Sequence, residues 1–569
     1  MDETIDQYQQ EVIDQKWNSK IAVSAGPGTG KSFTAALRVA SIISQLEAAP
    51  DNSDALVVCL TFTNAATDVT KERLMNQNVV AGVEVRTIDS WCAKLRDLAS
   101  LEAQYENSGY DKNITQLIAH IKNSQNFEFP SDIAHIVIDE AQDIYGVRLE
   151  LLNLLLATNL IEGWTVLGDP AQAIYEYGSE GDEGSFLESL IVNGKFDKYL
   201  NLEIDHRSKT DKARKVRILG SELRNQNPSE QGIEHIWREY LDTQSLTISQ
   251  LVSTAMGYNE SGQSVGVLLR TNRQMIELST KLSQAAVEHH CSVDSGNSSL
   301  PAWIADLDDA NEKEEVLSRA PSYINQSALS KLFERWCQGG LSKRISIEKF
   351  SDSLHQKRVP QLLLKNDPKI ISLTTVHRAK GLEYQKVIVG LDIPVGIDLK
   401  TKVQEARVLF VALTRSQESI VRLNVDGIKT NSRRNKQTGR WVDLAFKGRN
   451  TFTCGLEVKM EDFIYLYQPS SLKPGDSVAI RNFKQIEGGV WVFGAYEQDR
   501  RDPFAILSQD FSNAVQKEFS NRGQTEFLGL HVSGFSSIPI PKGSRDSWTQ
   551  KYLAKVPYMA GMVHPANKE

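Results

Sequence analysis

Eight consecutive residues near the start of the chain, Ala25-Gly26-Pro27-Gly28-Thr29-Gly30-Lys31-Ser32, have the composition of a phosphate cradle. Glycines let successive backbone N–H groups turn toward one anion, and a helix starting there adds its positive dipole end. Lys31 is then placed to neutralise the β- and γ-phosphates of ATP, and the Ser32 hydroxyl to ligate Mg²⁺. The strict pattern opens on Gly, whereas this chain has Ala25. A second run, His135-Ile136-Val137-Ile138-Asp139-Glu140-Ala141-Gln142, carries two acids at the end of an apolar stretch. α/β sheets build their sites at such strand ends. Downstream of a phosphate loop, Asp139 suits the metal and Glu140 suits orienting or deprotonating an attacking water. Alone, such a pair is as often a solvated strand end.

These residues need a scaffold of strands and helices. Short apolar runs at Ile21–Ala25, Ala55–Leu60, Ile133–Ile138 and Trp164–Leu167 read as buried strands. Helical patterns at Lys31–Ile43 and Leu149–Leu156 separate them. The alternation predicts a parallel sheet covered on both faces. It returns at Ser264–Leu269, Ile370–Thr374 and Lys386–Gly390, with a helix over Glu405–Leu413. The fold class expected is therefore α/β, with two parallel-sheet domains at 1–200 and 201–427. Two stretches, about 97–130 and 288–368, interrupt the pattern as short, largely helical insertions. From 428 to 569 the texture changes. Seven basic residues and one acid occupy Lys429–Arg449, and short β-rich runs at Phe463–Tyr467, Ser477–Ile480 and Val490–Tyr496 follow. This predicts a small β-rich C-terminal domain.

The 569 residues are 40% hydrophobic and 24% charged, an ordinary globular balance. A net charge of -8 excludes a globally basic nucleic-acid coat but not a local groove. Cys59, Cys92, Cys291, Cys337 and Cys454 lack metal-ligand or redox spacing and read as reduced thiols of a cytoplasmic protein. The acidic, polar opening residues are not those of a signal peptide. No apolar run reaches membrane-spanning length, so no membrane partner is expected.

Further runs make the pattern specific. From Ile5 to Ile420 the chain resembles the UvrD/Rep/PcrA-type helicases of superfamily 1, motif by motif and in order. Ile5-Asp6-Gln7-Tyr8-Gln9 resembles their glutamine motif, and Thr61-Phe62-Thr63-Asn64-Ala65-Ala66 their motif Ia. Gly168-Asp169-Pro170-Ala171-Gln172-Ala173-Ile174-Tyr175 resembles motif III, and Asp205-His206-Arg207-Ser208 stands where the family has Asn-Tyr-Arg-Ser. The run from Thr375 to Tyr384 resembles motif V, and that from Glu405 to Arg415 motif VI. Motifs III and V favour the UvrD branch over the RecD/Pif1 branch.

The resemblance implies RecA-like domains and assigns roles. Gln9 reads the adenine edge, Glu383 holds the ribose, and Gln172 senses the γ-phosphate. Arg207 and Arg415 approach that phosphate from the second domain's side, where a permanent charge and a forked geometry suit it. Phe62 and Tyr177 are candidate platforms on which bases stack. Thr61, Asn64, Thr87, Arg270, Thr375 and His377 are candidate contacts to a nucleic-acid backbone. The activity implied is ATP-dependent, 3′-to-5′ translocation and unwinding on single-stranded or tailed DNA.

Several positions depart from the family. Phe33 and His206 replace the usual arginine and tyrosine around adenine, though both are planar and can still stack on it. Asp89 brings an acid where phosphate is expected, Ala65 replaces a frequent lysine, and Tyr177 a frequent tryptophan. The insertions are much shorter than the family's accessory subdomains. They favour a second reading: a DNA-stimulated ATPase subunit of a nuclease, repair or defence assembly, with a separately encoded partner. Arg433, Arg434, Lys436 and Arg440, near Trp441, are either a further grip on nucleic acid or a solvated linker. A nucleic-acid-independent signalling ATPase is a third reading, against which motifs Ia, III and V argue.

Overall fold

In the computed structural model the described residues are 5–566, without 50–54, 78, 80, 102–108, 124–129, 131, 158–160, 175–184, 226, 292–299, 335–336, 338–343, 357–358, 366, 394, 427, 429–431, 448–449, 470, 486–490, 498–499, 520–525, 546–547, 549–550 and 560. The chain divides into two compact units, Met1–Asp242 with Ile393–Ser419, and Thr243–Asp392 with Ile420–Glu569.

The first unit is built on a six-stranded sheet. Its strands are β1 (Lys20–Ala25), β2 (Leu56–Thr61), β3 (Val83–Thr87), β4 (Ile133–Ile138), β5 (Gly163–Gly168) and β6 (Lys198–Leu202). They run parallel in the order β3-β2-β4-β5-β1-β6. Successive residues point to opposite faces. Ala22, Val58, Leu60, Ile136, Ile138 and Val166 enter a core with Trp91 and Trp164, while Val23, Val57, Cys59, Val137 and Leu167 enter another with Val39 and Leu46. That double burial is why β2, β4 and the middles of β1 and β5 read as apolar runs. Parallel pairing brings the ends of β1, β4 and β5, which carry Ala25, Ile138 and Gly168, to one edge. The 97–130 insertion contributes one described helix, Gly109–Asn123.

The second unit holds another six-stranded sheet, in which the neighbouring strands pair in parallel. Its strands are β7 (Ser245–Thr247), β8 (Val265–Leu269), β9 (His289–Cys291), β11 (Ile371–Thr375), β12 (Tyr384–Gly390) and β13 (Ser416–Asn424), β10 (Leu300–Pro301) belonging to the insertion. The chain thus has two RecA-like parallel sheets and, past residue 430, a β-rich region with a nine-stranded sheet. Phe493, Phe511 and Phe527 meet edge to face in its core.

The β-rich region is fastened to the second sheet and to the insertion. Arg273 of the helix Asn272–Gln284 forms a buried two-pronged pair with Asp443 at 2.9–3.0 Å. β10 pairs with the strand Gly534–Pro539, which pairs with Leu553–Tyr558. Asp308 of the insertion accepts the backbone N–H groups of Tyr552 and Leu553, each at 2.7 Å. Arg440, one of the basic residues suggested as a nucleic-acid grip, is instead buried on Asp462, 4% exposed. Arg433 lies on the surface and pairs with Glu518.

Candidate nucleotide site

β1 ends at Ala25, and the helix Lys31–Glu47 begins after Gly30. Between them, Gly28 and Gly30 take φ of +83° and +75°. A Cβ on Gly30 would stand 2.5 Å from Gln9 Nε2, and one on Gly28 would overlap the Arg217 guanidinium. Both positions therefore require glycine. The Thr29 hydroxyl donates to the Gly26 carbonyl at 2.9 Å and ties the turn shut. Gln9 is buried, donates to the Thr29 carbonyl at 3.1 Å, and accepts from the Asp6 N–H at 3.2 Å. Its amide braces the loop and caps its own helix at once. His206 lies alongside: its N–H donates to the Gly28 carbonyl at 2.9 Å and its Nε2 is 2.7 Å from Asp6. Ser32 and Phe33 follow Lys31 on the first turn of the helix, both half-buried.

Lys31 Nζ lies 2.7 Å from Glu140 and 3.6 Å from Asp139. Burial alone lowers the pKa of this ammonium, but Glu140 and then Asp139 outweigh it and hold it above the ordinary lysine value. Asp139 is positioned by its N–H on the Leu60 carbonyl of β2, at 3.1 Å. Glu140 adopts a left-handed φ of +57°, a conformation that costs a residue with a Cβ about 1–2 kcal/mol. Its N–H bonds the Asp139 carboxylate at 2.8 Å, which helps to hold that turn.

From Glu140 the polar contacts continue inward. The Gln142 amide donates to the Glu140 carboxylate and accepts the Asp169 N–H at 3.0 Å. Asp169, fully buried, accepts from the Gln172 side chain at 2.8 Å and from Arg224 at 2.8 and 3.1 Å. Gln172 in turn accepts from Arg415 Nη2 at 3.1 Å. Arg207 Nη1 donates to the Thr414 carbonyl at 3.2 Å. Lys31, Glu140, Gln172, Arg207 and Arg415 thus come together in the first unit. Gln142 and Asp169, which link them, lay inside motifs read from the sequence without being singled out. Arg217 and Arg224 carried no sequence signal at all.

The donor set fits ATP with Mg²⁺. A buried ammonium already rests on carboxylates, Gly26, Gly28 and Gly30 leave the loop backbone bare of their own side chains, and Asp139 with Ser32 offers the hard oxygens that Mg²⁺ prefers. Among the described residues no group of three or more His, Cys, Asp or Glu could hold a metal by itself. Mg²⁺ with phosphate co-ligands needs fewer protein ligands than that.

The other candidate residues are dispersed. Thr61 is buried, its hydroxyl 2.7 Å from that of Thr67. Phe62 is half-buried, and Asn64 opens the next helix. Thr87 caps the helix Ile88–Leu98, accepting from the Ser90 N–H at 3.2 Å. Asp89 does not stand as a bare acid, since Arg148 bonds it at 2.7 and 3.1 Å. Tyr177 falls outside the described residues. In the second unit, Arg270 follows β8 and is half-buried, Thr375 ends β11 and is buried, and His377 two residues on is half-buried. Glu383, exposed, precedes β12. No helix among the described residues is long and apolar enough to cross a membrane.

A parallel sheet with a glycine loop at one strand end and an acid pair at another defines a phosphate-loop nucleotide-binding protein. Residues 5–125 and 97–181 match the UvrD/REP helicase N-terminal domain, and residues 300–422 match the UvrD-like helicase C-terminal domain. With both matches in order along the motif series, the chain belongs to the UvrD/Rep-like helicases of superfamily 1. It is 23% identical over 333 residues to the ATP-dependent DNA helicase UvrD2 of Mycobacterium tuberculosis, and equally to that of Mycobacterium bovis. Each alignment covers 51% of this chain and 47% of the relative, so the chain spans about half the length of the curated relatives it matches. The crystal structure of Pif1 helicase from Candida albicans aligns at 14% identity with a TM-score of 0.35, over 75% of this chain and 97% of that one.

Proposed function

We propose that this protein is an ATP-dependent translocase and helicase on single-stranded DNA, moving 3′ to 5′. The observation that carries the proposal is the continuous set of contacts from Lys31 through Glu140, Gln142 and Asp169 to Gln172 and Arg415. When the loop receives the phosphates, Lys31 exchanges its carboxylate partners for phosphate oxygens. Glu140 is thereby released to orient and deprotonate the attacking water. Asp139 and Ser32 would hold Mg²⁺, which when bound would supply charge neutralisation at the phosphates. Gln172, bonded to both Asp169 and Arg415, converts the state of the phosphates into a rearrangement of its own partners. Arg415 and Arg207 add permanent positive charge where negative charge accumulates.

The short 97–130 insertion, with its single described helix, favours a second reading: a DNA-stimulated ATPase that unwinds little without a nuclease or repair partner. ATP hydrolysis is measured with and without single-stranded DNA, followed by strand displacement on 3′- and 5′-tailed duplexes. Displacement from the 3′ tail supports the first reading. Stimulated hydrolysis without displacement supports the second. Displacement only from the 5′ tail defeats the polarity, and hydrolysis indifferent to DNA defeats both.

A further inference from the structure

Two arginines outside every motif lie against the phosphate loop. Arg217, on the helix Asp211–Ile218, donates to the Pro27 carbonyl and pairs with Asp205 at 2.6 Å. It is only 8% exposed, and its guanidinium fills the space where a side chain on Gly28 would stand. Arg224, ending the helix Gly220–Arg224, grips Asp169 with two prongs, and its Nη2 lies 2.9 Å from where a Cβ on Gly26 would be. Guanidinium groups therefore cover both Gly26 and Gly28.

Burying a cation is costly unless an acid accompanies it. Here each acid has other work. Asp205 accepts the N–H groups of Arg207 and Ser208 at 2.9 and 3.1 Å, and Asp169 accepts the Ala171 N–H at 3.1 Å. The acids shape the turns that carry Arg207 and Gln172 and at the same time hold the two arginines on the loop. A polyphosphate entering the loop meets two forked cations whose geometry matches its oxygens.

We propose that Arg217 and Arg224 are phosphate-binding residues for a nucleoside triphosphate, held over Gly28 and Gly26 by Asp205 and Asp169 until the phosphates arrive. The proposal rests on the reading of the loop as a nucleotide site. It adds two residues to Lys31, Arg207 and Arg415.

The test is equilibrium binding of a fluorescent, non-hydrolysable ATP analogue with Mg²⁺ to the full chain, alongside the shift it causes in melting temperature. Arg217→Gln and Arg224→Gln are each expected to weaken binding roughly tenfold or more, the usual size for a lost charged hydrogen bond. Arg217→Lys should recover part of the loss. Asp205→Asn still accepts the Arg207 and Ser208 N–H groups but loosens its hold on Arg217, so binding should hold or tighten. Should Arg224→Gln fail to fold, Arg224→Lys keeps a charge for Asp169 without the fork, and is expected to melt normally yet bind more weakly. Folded arginine variants that bind like the wild type overturn the proposal. So does Asp205→Asn if its loss equals that of Arg217→Gln, because the pair is then only scaffolding. Wild-type protein that binds no triphosphate, unchanged by Lys31→Ala, overturns the nucleotide reading and this proposal together. Binding lost in Lys31→Ala but kept in the arginine variants overturns this proposal alone.

Discussion

The side chain of Gln172 accepts a hydrogen bond from Arg415 Nη2 at 3.1 Å, across 243 positions of sequence. Both groups are buried, at 6% and 2% exposure, so the contact is made with little competition from water. Gln172 also donates to Asp169, and one amide thereby joins an acid to an arginine. Arg415→Ala is expected to lower the DNA-stimulated kcat by roughly 10³-fold, the scale of a lost phosphate-facing arginine. Gln172→Ala should lower it too, and the double variant should fall short of the product of the two losses. Steady-state hydrolysis checks this, and fully multiplicative losses would show that the two residues act independently.

Glu140→Gln should abolish turnover while leaving triphosphate binding measurable, because the amide keeps the shape but cannot take a proton. Lys31→Ala should abolish both, since it removes the ammonium that rests on Glu140 and Asp139. Nucleotide titration beside hydrolysis rates separates the two outcomes. Residual turnover in Glu140→Gln would move the base elsewhere.

Phe33 stands two residues after Lys31, and His206 is anchored beside Gly28 and Asp6. If these planar groups flank adenine, Phe33→Ala raises the ATP KM by a few-fold to roughly tenfold, as expected for one lost stacking partner, with kcat little changed. An unchanged KM sinks the assignment.

The buried pair of Arg273 and Asp443 ties the β-rich region to the second sheet. Removing one partner strands the other charge, so Arg273→Ala is expected to cost about 3–5 kcal/mol. Replacing both, as in Arg273→Met with Asp443→Leu, should recover much of that loss. Chemical denaturation with a tryptophan readout measures both. A mild single variant would mean that the charges reach water when separated.

Acid should destabilise the fold before the carboxylates titrate. Burial, with Arg38 adding to it, lowers the His135 pKa to about 3. Burial lowers His289 to about 4, and burial with His289 lowers His290 to about 4. In the unfolded chain each titrates near about 6.5. The unfolded state therefore binds more protons between those values, and stability falls as pH drops below about 6.5 toward the folded pKa values. Each histidine contributes up to about 1.4 kcal/mol per pH unit in that window. Denaturation midpoints at pH 7, 6 and 5 should fall steadily, and a flat profile would show that these rings charge in the native state.

The chemistry that depends on consecutive residues could be read without coordinates. A loop needs its glycines in adjacent positions, so Ala25–Ser32 announces itself. A fully buried parallel strand needs an unbroken apolar run, so Ile133–Ile138 and the acids after it do likewise. The motif series extended this to the family, because each motif is local and their order is linear. Tertiary structure alone decided which of these groups touch. Arg415 reaches Gln172, the Gln9 amide braces the loop backbone, and Arg440 turns inward to Asp462, because packing brings together side chains that are separated along the chain. Arg217 and Arg224 show the difference most plainly. Nothing in their neighbours marks them, since a surface helix accepts arginine anywhere. Only the packing of their helices against Gly26 and Gly28 turns two ordinary cations into part of the site.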